Sequence, residues 1–308
     1  MDEISVIAPL GAVIALGWVL RVLGIVSIQT FREDNRILFW LSIPALLLRL
    51  TAKAHISAGE NLNLFLAVHV SFVVFPMIAF LAGYLFREEK NRLAISTMVS
   101  IRSNQVFMGI PAISIAMGSQ GLEAISVFLA MSLIGYHIFS ISSSQLVLSG
   151  GLSFRSLLDT TRKVLKNPMV LACLCGVGLS AAGIHEFPQP LDTTLKVLGD
   201  IGTGLALLSL GAGLDFTGVF STLQRTWRDA FIKLVLHPAF VLMLFSFWPV
   251  ERTMMQAVLM ATAMPVAVNS LVVAQGMGMD DRYAGELIAV TTLLSMGTLP
   301  AWMRFLGI

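Results

Sequence analysis

The stretch Ser100-Ile101-Arg102-Ser103-Asn104-Gln105-Val106-Phe107-Met108-Gly109-Ile110-Pro111 puts a guanidinium, two amides and two hydroxyls into an otherwise apolar part of the chain. An Arg offers five N–H donors and an Asn two, with no negative charge to deter an anion. A second stretch, Ala263-Met264-Pro265-Val266-Ala267-Val268-Asn269-Ser270, is centred on a proline 154 residues beyond Pro111 in a chain of 308. Proline inside a helix removes a hydrogen bond and clashes with the preceding turn. At membrane depth such damage survives only where the freed backbone groups face protein or a watery cavity. Two breaks at matching places in two halves point to the binding site of a secondary transporter. A break near Gly109 and Pro111 frees amides at the start of an outer half-helix. A break at Pro265 makes Asn269 and Ser270 the start of an inner one. Helix starts favour anions through their amides and dipole. Crossing at mid-membrane, the two starts form one shared polar site, with Arg102, Asn104, Gly109, Pro111, Pro265, Asn269 and Ser270 as its binding residues.

Arg102 follows Arg92 by ten residues, roughly 15 Å along a helix, and so lies near mid-depth. A guanidinium there costs about 2.5–3.5 kcal/mol on insertion scales. It can pair with a substrate carboxylate or form a structural ion pair, for which Asp200 is the acid well inside an apolar segment. His69, His137 and His237 also lie in apolar segments, and a histidine can relay protons. His69 and Asp200 are the candidates for proton coupling. The histidines are too scattered for a metal site. Lys233 is expected to snorkel to an interface. Cys173 and Cys175, two apart on a helix, point in different directions and read as packing residues. With no nucleophile paired to a base and no phosphate loop, neither an enzyme nor a cofactor is expected.

The elements that must position these residues are membrane helices. The chain is 56% hydrophobic and 12% charged, where a soluble domain carries roughly 25% charged residues; its mean hydropathy is +0.83. The net charge of +2 is too small for nucleic-acid binding. Apolar segments run over 4–26, 37–50, 62–86, 93–117, 121–148, 168–184, 193–214, 230–248, 254–276 and 283–305. The first follows Asp2 and Glu3 rather than a basic region, so it reads as a retained helix and not a cleaved signal. Residues 1–148 form a first five-helix repeat, 149–167 a connection and 168–308 a second repeat. Pro9, Pro76 and Pro111 recur as Pro168, Pro238 and Pro265, at offsets of 159, 162 and 154. Five helices per half, an odd number, turn the second half upside down, the inverted-repeat plan. The fold class is thus an all-α membrane protein of ten transmembrane helices, with broken helices four and nine crossing. Connections after segments one, three, five, seven and nine carry fourteen of the twenty Lys and Arg residues. The positive-inside rule makes them cytoplasmic, and both termini then lie outside the inner (plasma) membrane.

These residues resemble the auxin efflux carrier family, which includes plant PIN proteins and bacterial organic-acid carriers. The likeness rests on Asn104-x-x-Phe107-x-Gly109-x-Pro111, Ala263-Met264-Pro265, Ile43-Pro44 followed by leucines, and Leu210-Gly211-x-Gly213-Leu214. It implies a scaffold of helices one, two, six and seven, a mobile domain holding the crossover, an elevator-like displacement and a homodimer. It also implies that Asn104 holds the substrate carboxylate and that Ile43 lines the pocket. The Asp and Lys of the plant third helix are absent; Phe65 to Phe75 offers His69 and Ser71 instead. The expected partners are a small organic anion and membrane lipid. Two alternatives remain: a sodium-coupled symporter of the bile acid:sodium symporter type, and a transporter-like membrane sensor. The former relies on an acid in the ninth helix, and none lies between Met254 and Gly276.

Overall fold

The computed structural model describes residues 3–53, 61–150, 158, 162, 165–214 and 219–308. Most of the expected 149–167 connection, including Arg155 and Lys163, lies outside the described residues, as does Met1. Among the described residues the chain is helical, with one isolated antiparallel bridge and no strand.

The helices are α1 Glu3–Val22, α2 Ile28–Lys53, α3 Leu62–Leu85, α4 Lys90–Val99, α5 Gln105–Ser149, α6 Pro168–Ala181, α7 Gln189–Gly213, α8 Ser221–Phe247, α9 Arg252–Ala263, α10 Asn269–Gly276 and α11 Asp281–Leu306. Six of them, α2, α3, α5, α7, α8 and α11, are long and apolar enough to cross a membrane. Shorter apolar helices cover Ala8–Val22 and Pro168–Ala181. Apolar side chains such as Met77, Leu85, Phe247 and Val272 cover the outside, while Arg102, Asn104, Ser140 and Thr291 are buried. Apolar helices with their polar residues turned inward are what a lipid solvent selects.

Two boundaries differ from the hydropathy reading. The short second segment is the end of a longer helix: α2 starts at Ile28, where the Ser27 hydroxyl accepts from the Thr30 amide at 3.1 Å. Its first turns carry Glu33, Asp34 and Arg36, which an apolar window passes over. Segments four and five share α5, which bends at Gly118 (φ 60°, ψ −144°), a conformation open to glycine.

Prolines reshape three helices without ending them. The π turns Leu38–Ser42, Gln105–Gly109 and Ile232–Leu236 each stop two residues before a proline, Pro44, Pro111 and Pro238. Proline cannot donate to the carbonyl four residues back, and a π turn, pairing five apart, absorbs the misfit.

Close backbone approach binds one group of helices. α1 packs on α7, and α2 on α6 and α7. A Cβ at Gly17 would overlap the Leu208 carbonyl, one at Gly211 the Ile14 carbonyl, and one at Gly176 the Thr51 hydroxyl. Small residues permit such contacts between membrane helices. Asp192 of α7 meets Arg49 at 2.8 Å and Lys53 at 2.7 Å on α2. The remaining helices gather around the two breaks. There Arg228 of α8 bonds Asp229 at 2.8 Å, Glu88 at 3.2 Å and the Ser96 hydroxyl of α4 at 3.1 Å. Tyr283 of α11 donates to Asp229 at 2.8 Å. These buried polar contacts tie α4, α8 and α11 together.

Candidate functional site

Between α4 and α5, and between α9 and α10, the chain leaves the helix. The two extended stretches lie antiparallel, Ser103 opposite Val266. The Asn104 amide donates to the Pro265 carbonyl at 2.8 Å, and the Ala267 amide to the Arg102 carbonyl at 2.9 Å. The Val266 amide reaches the Thr291 hydroxyl of α11 at 3.0 Å. Each break thereby supplies partners for backbone groups the other leaves free, the condition for irregular backbone away from water.

The first break is earlier in the chain than the proline implied. The residues outside the helix are Ser100–Asn104, and Pro111 lies within the second half-helix. Pro111 is the seventh residue of α5, beyond the early amides that lack an acceptor, and the π turn just before it absorbs its missing N–H. Gly109 is nonetheless close to the crossing: its amide donates to the Asn104 carbonyl at 3.0 Å, and a Cβ on it would sit 3.5 Å from Met264. The second break falls where the sequence indicated, with Pro265 in it and Asn269 and Ser270 opening α10.

Arg102 is the centre of the arrangement. Its side chain is 0% exposed. It donates to the Ser270 hydroxyl at 3.0 Å, the Ser140 hydroxyl at 3.0 Å and the Asn269 amide oxygen at 2.8 Å. Its guanidinium lies 5.0 Å over the Tyr136 ring, a favourable cation–π distance. No carboxylate is among these partners. Asp200, the acid considered for it, is exposed on α7 and makes no ion pair with it. Arginine stays charged under all ordinary conditions, so a buried cation here is held by neutral dipoles alone.

Beside it, Asn104 is 1% exposed, and neither its amide oxygen nor its amide nitrogen has a hydrogen-bond partner. The Gln105 amide nitrogen is also unpaired. A cavity of about 20 Å³ opens here, lined by Ser103, Asn104, Gln105, Tyr136, His137 and Asn269 among others; it has room for little more than a water molecule. Gln105, Val106 and Phe107, the first residues of α5, also line this space.

Not every expected residue joins this site. Ile43 is buried in α2 against Gly202 and is not in the lining. His69 lies elsewhere on α3: its Nδ1 meets the Phe65 carbonyl at 2.9 Å, and its ring stacks on Phe65 at 3.9 Å, with Gly135 of α5 giving it room. Lys233, expected to snorkel, is fully buried and donates to the Thr262 carbonyl at 2.7 Å. The π turn in α8 and the α9 end beside it give the amine an inward acceptor. Tyr136 and Ser140 were missed. They lie on the far arm of α5, more than 30 residues from Arg102, and only the bend at Gly118 returns them.

The residues 4–303 match the family model described as membrane transport protein. The chain belongs to this family, as the resemblance to auxin efflux carriers implied. A Rhizobium meliloti (strain 1021) protein provisionally named a malonate transporter is 23% identical over 270 residues, covering 86% of this chain and 83% of its own. An uncharacterized transporter of Methanothermobacter thermautotrophicus is 22% identical over 301 residues, covering 94% and 93%. An uncharacterized transporter of Methanocaldococcus jannaschii is 20% identical over 318 residues, covering 98% and 97%. The protein is thus a multi-pass membrane transporter with a small-molecule substrate, and its relatives are carriers rather than enzymes.

Proposed function

We propose that this transporter carries a small organic anion, a carboxylate, bound at the crossover. One observation carries the reading: a fully buried guanidinium without a carboxylate partner lies beside an unpartnered Asn104 amide. A buried charge is tolerated when paired, and an unmade buried hydrogen bond costs about 1–3 kcal/mol. A carboxylate in the cavity would meet Asn104 and Gln105 directly and would offset the Arg102 charge across Asn269 and Tyr136, which line it. Malonate, which the Rhizobium relative's name gives, is the first substrate to test.

The architecture is read as ten helices in two inverted repeats. Helix four is α4 with the first arm of α5, and helix nine is α9 with α10. The packing of α1, α2, α6 and α7 on one another supports a scaffold past which the crossover domain moves as an elevator. Because the cavity admits little more than water, that domain must open to load its cargo. Both termini lie outside the inner membrane, the 149–167 connection lies inside, and two copies form a homodimer.

Uptake of radiolabelled malonate into proteoliposomes tests this, with sodium replaced by potassium at fixed pH and voltage. Transport without sodium is expected, since the crossover side chains are donors rather than carboxylates. A strict sodium requirement would overturn the reading in favour of a symporter of the bile acid:sodium type.

A further inference from the structure

A fully buried amine stands behind the crossover, apart from the Arg102 contacts. Lys233 is 0% exposed and lies in the π turn of α8. Its single hydrogen bond runs to the Thr262 carbonyl at 2.7 Å, in the last turn of α9. The Ser103 hydroxyl donates to that same carbonyl at 3.1 Å, and Ser103 lines the cavity next to Asn104. The amine is therefore one carbonyl removed from the anion site.

No acid offsets it. On its own helix, Asp229 one turn earlier turns to Arg228, Ser96 and Tyr283. His237 one turn later packs on Phe75 at 4.8 Å and faces both Lys233 and the Thr262 carbonyl, with no hydrogen bond of normal geometry of its own. On α9 the charged residue is Arg252, at the opposite end. On α11, Asp281, Arg282, Tyr283 and Glu286 lie in the first turns, where Glu286 is engaged by Arg225 and Arg282, and Arg304 lies in the last turn. On α3, His69 and Tyr84 lie away from it, His69 against Phe65. Arg102, in the crossover itself, is committed to Ser270, Ser140 and Asn269.

Resting on the anion reading above, we propose that Lys233 is the proton carrier of this transporter, gaining a proton when the anion loads and releasing it when the anion leaves. A neutral amine and an ammonium can each donate to the Thr262 carbonyl, so both forms fit the same geometry. What separates them is the cost of an unpaired charge in the core. A carboxylate arriving at Asn104 lowers that cost, and by linkage a proton on Lys233 favours the carboxylate equally. Arg102 cannot play this part, because it does not deprotonate. The amine is intrinsically a far stronger base than the imidazole of His137, which also lies close to the fixed charge of Arg102.

The test uses the full chain in proteoliposomes with radiolabelled malonate and a proton-sensitive dye inside. Exchange at equal pH reports the anion site; accumulation driven by a pH gradient reports the proton. The wild type should do both, with lumenal acidification accompanying uptake. Lys233→Gln keeps a donor for Thr262 but cannot titrate. It should keep exchange within a few-fold and lose both gradient-driven accumulation and acidification. His69→Gln and Asp200→Asn should keep them. Should Lys233→Gln not fold, as judged by monodispersity, Lys233→Arg supplies a permanent charge with the same expected loss. Accumulation retained in the non-titrating variant, or lost only in another variant, overturns the proposal. Wild-type exchange without proton movement overturns it alone, and absence of wild-type exchange overturns the anion reading with it.

Discussion

Replacing Asn104 by Ala should separate binding from stability. In the ligand-free protein its amide oxygen and nitrogen are buried without partners, so they burden the fold rather than support it. Truncation removes that burden and leaves a small void, and the two effects oppose each other. The ligand-free melting temperature should stay within a few degrees of wild type, or rise. Binding should suffer, because the carboxylate loses its side-chain donor while remaining buried, a loss of about 1–3 kcal/mol. At 1.4 kcal/mol per factor of ten, the malonate Kd should rise about fivefold to about 150-fold. Isothermal titration on the purified protein measures the affinity, and thermal unfolding with and without malonate measures the stability. A clear drop in ligand-free stability with an unchanged Kd would refute the reasoning, since Asn104 would then be a structural residue.

Other perturbations act on different parts of the argument. Arg102→Lys keeps one charge but cannot reach Ser270, Ser140 and Asn269 together; malonate affinity should fall at least tenfold by titration, because a point charge does not replace a planar fork. Gly211→Ala drives a methyl into the Ile14 carbonyl and should lower the unfolding free energy by about 1–3 kcal/mol, in the range of overpacked cores. Gly204→Ala on the same helix meets nothing within 4 Å and should be neutral or stabilising by up to about 1 kcal/mol, so equal losses at the two sites would contradict the packing of α1 on α7. Single cysteines in the 149–167 connection should resist an impermeant reagent in whole cells, whereas cysteines near Met1 and Ile308 should react; labelling of the connection from outside would reverse the proposed orientation.

The membrane class, the general position of the helices and the two polar breaks were legible in the residues themselves. Hydropathy is a summed local property, and Arg, Asn and Ser inside an apolar run mark groups that must be kept from lipid. The same locality explains the family motifs, since Asn104, Phe107, Gly109 and Pro111 fall on one short stretch of chain. What local reading could not supply was distance. Proline spacing places the first break near Gly109 and Pro111, whereas it lies at Ser100–Asn104. The break instead follows the pairing of Arg102–Asn104 with Pro265–Ala267, and Pro111 is absorbed by a π turn. Arg102 gave a cation without a partner; only the crossing, with Ser140 brought back on α5, showed that three neutral groups hold it and no acid does. Lys233 looked like an interface lysine because its neighbours in sequence are apolar and a membrane end is near. Its burial depends on the α9 terminus turning the Thr262 carbonyl toward it. Sequence thus fixes which groups must avoid lipid. The contacts that satisfy them join residues as far apart as Arg21 and Leu214, 193 positions, and those are decided by the packing of whole helices.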